Sequence, residues 1–184
     1  MNGINRNIHG EGLMKTNICL IGFMLTGKTT IGKALAVKLG KDFIEMDAEI
    51  ESLSGQTIPN LFLKGEKHFR DWEEKACKII AKRRNTVISC GGGIILRKTN
   101  IKALQQTSIM VLLKASPEII HKRFLDSDPS ARPLLGIEDP LGEIHRLLHK
   151  RDALYETSSE IYINADNPIT TVVDDIINRL QMVK

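Results

Sequence analysis

Aromatic residues are scarce, only 4% of the 184. The chain therefore has no row of rings on which the bases of a single-stranded nucleic acid would stack. Cysteine is scarce too. Cys19, Cys77 and Cys90 show no CxxC spacing and leave an odd count. That argues against a disulfide framework or a cysteine zinc site and favours a reducing compartment, so a cytoplasmic location is expected. No apolar run approaches the roughly 20 residues that span a bilayer. The opening MNGINRNIHGEGLM lacks the apolar centre of a signal peptide. Polar and rich in Asn and Gly, residues 1–14 read as a disordered extension. Charge of one sign is nowhere concentrated. The net +4 suits an anionic ligand, and the densest basic run, KRR at 82–84, reads as a solvated helix end. Neither a nucleic-acid nor a membrane partner is expected, and no extra interaction segment argues against a monomer.

What is present is an alternation of strand and helix patterns. NICLIG (17–22), DFIEMD (42–47), TVIS (86–89), SIMVLL (108–113) and EIYINA (160–165) read as strands. Helical spacing is found at 28–39, in an interrupted stretch over 48–63, and at 66–84, 117–125, 140–156 and 168–182. Ser116 before Pro117 is a helix-start signal. Strands separated by helices imply an α/β fold, a five-stranded parallel sheet with helices on both faces. Residues 15–184 read as one domain, with a polar, turn-rich loop at 126–133.

GFMLTGKT (22–29) matches the phosphate-loop pattern G-x-x-x-x-G-K-[ST] in the setting that pattern needs, after a strand and opening a helix. Backbone N–H groups of Gly22, Leu25, Thr26, Gly27 and the helix start at Thr29 and Thr30 suit phosphate oxygens. Lys28 would neutralise β/γ-phosphate charge, and the Thr29 hydroxyl would ligate Mg²⁺. Leu25 would be strained if its φ is positive.

The rest of the site is less explicit. Glu45 and Asp47, two apart on a predicted strand, would share one face. One carboxylate would serve Mg²⁺ and the other an acceptor hydroxyl, or both would be a solvated strand end. VISCGGGIIL (87–96) runs a strand into three glycines, more than a tight turn needs, as though the backbone there must approach something closely. GEKHFRDWEEK (65–75) places Arg70 on a helix with Glu74 at i+4 as its expected partner. RPLL (132–135) follows the polar loop and RDALY (151–155) lies near a helix end. The four histidines outside the first residues, His68, His121, His145 and His149, fall on predicted helices and read as solvated.

Taken in order, GFMLTGKTTIG, FIEMDAEIE, GEKHFRDWEE, GGG, RPLL and RDALY resemble the shikimate kinase family from about Lys15 to Leu180. That resemblance implies a phosphate-loop, nucleoside-monophosphate-kinase-like fold with a mobile lid at about 126–136. It implies transfer of the ATP γ-phosphoryl group to the 3-hydroxyl of shikimate, with Mg²⁺, by direct in-line displacement. By the same resemblance Lys28, Asp47 and Arg132 are the catalytic residues. Asp47 would take hydrogen bonds from the acceptor hydroxyls, and Arg70 and Arg151 would hold the carboxylate. Gly91, Gly92 and Gly93 would bring backbone amides to substrate and γ-phosphate. Arg123 would lie against the adenine, Arg132 would swing in with the lid, and Glu45 would reach Mg²⁺ through water.

Four places depart from the family pattern. Glu45 stands where Asp is usual and Cys90 where Thr is usual. The interval from Arg123 to Arg132 is slightly long, and that from Phe62 to Gly65 slightly short. The rival readings are another phosphate-loop kinase, such as a gluconate kinase, and a non-catalytic nucleotide-binding homologue. Acceptor-dependent ADP release separates all three.

Overall fold

The computed structural model describes residues 14–127, 135 and 138–182. Five strands form one parallel sheet in the order β2-β3-β1-β4-β5. They are β1 (Asn17–Ile21), β2 (Asp42–Glu45), β3 (Thr86–Ser89), β4 (Ser108–Lys114) and β5 (Ile161–Asn164). The central strand is buried along its whole length, as expected where helices cover both faces of a parallel sheet.

Alternation along the strands sorts side chains into two cores. Cys19 and Ile21, Ile88 and Cys90, and Met110 and Leu112 face one core. Ile18 and Leu20, Val87, and Val111 and Leu113 face the other. The second core is closed by α1 (Lys28–Leu39), through Ile31 and Leu35, and by α8 (Ile169–Met182), through Val172, Val173 and Ile176. The first is closed by Phe69, Ala76, Cys77 and Ile80 of α4 (Glu66–Ile80), Ile101 and Leu104 of α5 (Lys98–Gln105), and Ile144 and Leu147 of α7 (Pro140–Thr157). On α6 (Pro117–Leu125) the Ser116 hydroxyl accepts from the Ile119 N–H, so the helix-start signal is realised.

Three elements differ from the sequence reading. The strand expected over 42–47 stops at Glu45, and α2 (Met46–Ser54) begins at once. Met46 and Ile50, four apart and fully buried, need helical spacing to reach the same core, and Asp47 and Glu49 in the first turn suit its positive end. Glu45 and Asp47 therefore share no strand face. The helix expected to reach residue 84 ends at Ile80, ahead of the exposed basic run. A short 3₁₀ turn (Ile94–Leu96) and α5 occupy a stretch with no assigned helix. A further short helix, α3 (Ile58–Leu63), has Thr57 as its cap and Pro59 in its first turn. The residues expected to form the lid lie largely outside the described ones, Arg132 among them, as do residues 1–13.

Candidate active site

The carboxyl ends of β1, β2 and β3 deliver the site. After β1 the chain turns through the phosphate loop into α1. Gly27, at φ 91°, is the residue before the helix, and no side chain caps it. The first N–H groups of a helix have no intrahelical partner, so Lys28, Thr29 and the exposed Thr30 lie in a turn of the kind that binds anions. Leu25 sits at φ 63°, a left-handed conformation that costs a non-glycine residue roughly 1–2 kcal/mol. Its carbonyl accepts from Arg123 over 2.9 Å, and the same guanidinium donates to Ala165 O, also at 2.9 Å. Arg123 thereby ties the strained loop to the end of β5.

Lys28 is buried, and its Nζ donates to Gly22 O at 3.0 Å and Phe23 O at 2.7 Å. Thr26 Oγ1 donates to Phe23 O at 2.9 Å. The Thr29 hydroxyl donates to Glu45 Oε1 over 2.6 Å and lies 3.4 Å from Ser89 Oγ. No cluster of three or more His, Cys, Asp or Glu side chains that could hold a metal occurs among the described residues. The donors beside the loop are instead hard oxygens, the set that suits Mg²⁺ held by few protein ligands, phosphates and water. A cavity of about 290 Å³ borders the loop through Phe23, Thr26 and Tyr155.

Around the loop, α2 supplies Asp47, α4 supplies Arg70 and Glu73, and α7 supplies Arg151 and Tyr155. Arg70 is only 7% exposed and Arg151 6%. Arg70 Nη1 donates to Glu73 Oε1 over 2.8 Å, while its Nε and Nη2 reach Glu66 Oε1 at 3.3 and 3.2 Å. The expected pairing with Glu74 is not made. Glu74 pairs with Lys78 and, together with Asp71, with Arg97. From Arg70, positions 66, 73 and 74 all lie within helical reach, and the buried guanidinium takes the buried carboxylate at i+3. Glu73 Oε2 is itself buried with no hydrogen-bond partner among the described residues. Burial pushes the Glu73 carboxyl above its ordinary range, Arg70 opposes this, and the nearby Asp47 charge adds to it.

The three glycines are fitted to these side chains. None has a positive φ, so turn conformation does not explain them. A methyl on Gly91 would come 3.1 Å from Asp47 Oδ1, and one on Gly92 3.1 Å from Met24 N in the phosphate loop. A methyl on Gly93 would collide with the Arg70 guanidinium. The close approach expected from the sequence is thus made first to the protein's own site residues. Phe62 and Phe69 stack with centroids 4.4 Å apart, and the Arg70 guanidinium lies 4.9 Å from the Phe69 ring centroid. Cys90 Sγ lies 3.2 Å from Cys19 Sγ, both buried.

The structure therefore brings together the phosphate loop, Thr29, Glu45, Asp47, Arg70, the glycines and Arg151. Glu73 and Tyr155 were not singled out by sequence reasoning, although each lies at helical spacing from an arginine that was. His68 departs from its solvated reading, because its Nε2 is buried with no partner among the described residues.

Comparison with known proteins decides the family. A family model described as Shikimate kinase matches residues 24–181. A curated shikimate kinase of Thermodesulfovibrio yellowstonii is 45% identical over 141 residues, which is 76% of this chain and 80% of that one. The chain belongs to the shikimate kinase family. Its activity is shikimate kinase activity, an ATP-dependent phosphoryl transfer. A curated shikimate kinase of Caldanaerobacter subterraneus is 38% identical over 162 residues, 88% of this chain and 94% of its own. Among solved structures, shikimate kinase from Acinetobacter baumannii in complex with shikimate superposes with a TM-score of 0.86 at 34% identity, covering 92% of this chain and 94% of that one. A gluconokinase from Sinorhizobium meliloti, at 16% identity and a TM-score of 0.60 over 92% of this chain and 94% of its own, shares the fold alone. No helix among the described residues is long and apolar enough to cross a membrane.

Proposed function

We propose that this shikimate kinase holds its acceptor by the carboxylate, between the Arg70 and Arg151 guanidinium groups, with the ring hydroxyls turned to Asp47. The reading rests above all on one observation. Arg70 is buried against Gly93 at the edge of the sheet that also carries the phosphate loop. A buried guanidinium packed on a residue whose side chain would displace it is suited to a planar, bidentate anion.

In this account the β- and γ-phosphates of ATP lie over the N-terminus of α1, against the amides of the 22–30 loop. Lys28 exchanges its loop carbonyls for phosphate oxygens. Mg²⁺ would be held by the Thr29 hydroxyl and, through water, by Glu45, and would offset phosphate charge. Asp47 orients the 3-hydroxyl and takes its proton as that oxygen bonds to the γ-phosphorus. The bond to the β–γ bridging oxygen breaks, and ADP leaves. Positioning and charge neutralisation dominate such a transfer, and no covalent enzyme intermediate is needed. Arg132 adds a cation to the transferring phosphoryl, and Arg123 lines the adenine side while steadying Leu25. ATP and shikimate are the partners in this reading, with neither nucleic acid nor membrane. The protein acts as a cytoplasmic monomer.

The test is ADP release from ATP and Mg²⁺ with shikimate, gluconate, AMP or no acceptor. Release that depends on shikimate alone is expected. Equal release with gluconate would contradict the acceptor assignment.

A further inference from the structure

Tyr155 is a large side chain of α7, fully buried, and a phenylalanine would fill nearly the same space. Its hydroxyl does something a ring cannot. It donates to Gly92 O over 2.5 Å. A buried phenol needs a partner, and the one taken is the middle carbonyl of the glycine segment. The flanking carbonyls have backbone partners, with Gly91 O accepting from Ile94 N and Gly93 O from Leu96 N. Of the three carbonyls, that of Gly92 alone takes a side-chain donor among the described residues. Because that peptide is planar and trans, turning its carbonyl toward α7 turns the Gly93 N–H the opposite way. Among the described residues the Gly92 and Gly93 N–H groups donate to no protein acceptor. Gly93 is also the residue packed on the Arg70 guanidinium.

The same phenol lies beside Arg151, one helical turn earlier on α7. Burial pushes the Tyr155 hydroxyl up to about 12, and the neighbouring Arg151 cation pulls it the other way. Gly92 in turn abuts the phosphate-loop backbone. One hydroxyl thus stands where α7, the glycine segment and the phosphate loop meet.

We infer that Tyr155 is a positioning residue, whose hydroxyl joins Arg151 and the Gly92–Gly93 peptide into one unit that receives the substrate carboxylate. This role rests on the acceptor reading proposed above. It assigns Tyr155 to specificity for the acid rather than to the filling of the core.

The test compares shikimate with its methyl ester as acceptors for the wild type, Tyr155→Phe and Arg151→Met. Melting is followed by the fluorescence of Trp72, the single tryptophan. Loss of one buried hydrogen bond is expected to raise the KM for shikimate about tenfold in Tyr155→Phe, with the KM for ATP within about twofold. The acid-to-ester ratio of kcat/KM should fall by a similar factor, since the ester has less to lose. A merely structural role would lower the melting temperature or weaken both acceptors alike, and an unchanged ratio would overturn the proposal. Arg151→Met separates the two levels of inference. If it lowers the ratio while Tyr155→Phe does not, only the tyrosine role fails. If Arg151→Met leaves the ratio unchanged, the carboxylate reading fails and the tyrosine role with it.

Discussion

At the amino-terminal edge of the sheet, Asn17 Nδ2 donates to Arg83 O and Thr107 Oγ1, its Oδ1 accepts from Thr86 N, and Thr107 Oγ1 donates to Ala81 O. At the carboxyl-terminal edge, Arg70 meets Glu73 with one carboxylate oxygen left over, and two glycine amides have no acceptor among the described residues. Both edges bury polar groups. The Asn17 set closes on itself and stitches the α4–β3 and α5–β4 loops to the start of β1, although the neighbouring Ser108 Oγ has no partner among the described residues. The other converges on a common space and is closed only in part. A buried polar group is costly unless satisfied, and in the proposed account the substrate entering that space satisfies the second set.

The contrast can be tested from both sides. The largest effect should come from Asp47→Asn, which removes the group assigned to the acceptor proton. Turnover should fall about 10³-fold, within the usual range for a general base, while ADP affinity measured by calorimetry stays within about twofold. An equal loss of ADP affinity would assign Asp47 to the metal instead. Next, Arg70→Lys keeps the charge but loses the fork. The KM for shikimate in steady-state assays should rise roughly 10- to 100-fold with a smaller change in kcat, and an unchanged KM would remove Arg70 from the acceptor site.

At the opposite edge the signs reverse. Asn17→Ala should cost about 1–3 kcal/mol in denaturant unfolding, because it strands buried partners, yet leave both KM values as they are. A kinetic defect without loss of stability would mean that the two edges are not separate. The smallest effect concerns Glu73. Its carboxyl is raised by burial, so the fold binds that proton more tightly than the unfolded chain does. The stabilisation is fully present below the ordinary carboxylate value and is lost as pH rises through the raised one. Melting temperatures across that range should therefore drift in favour of Glu73→Gln as pH rises. A constant difference would contradict the assigned direction.

The functional edge was the more legible of the two in the sequence. A phosphate loop announces itself because the chemistry fixes residue types at fixed spacing, and GFMLTGKT lies where the strand and helix patterns require it. GGG, Arg70 and Arg151 could be picked out, but their mutual fit could not, since Gly93 packs on a side chain 23 residues earlier. Asp47, a candidate site residue, was placed on the wrong element. The alternation in DFIEMD imitates a strand, and only the burial of Met46 with Ile50 shows that the helix has begun. Arg70 was assigned the wrong helical partner because 66, 73 and 74 are all within reach and burial makes the choice. Asn17 and Thr107 carried no signal at all, because hydrogen bonds to loop carbonyls have no sequence pattern.

The most direct test of the claim that the carboxyl-terminal edge is one acceptor site beside a separable nucleotide site is calorimetry on Gly93→Ala. The added methyl can be accommodated only by displacing Arg70. The account predicts that shikimate binding is lost while ADP binding is kept. Shikimate bound as tightly as by the wild type would contradict it.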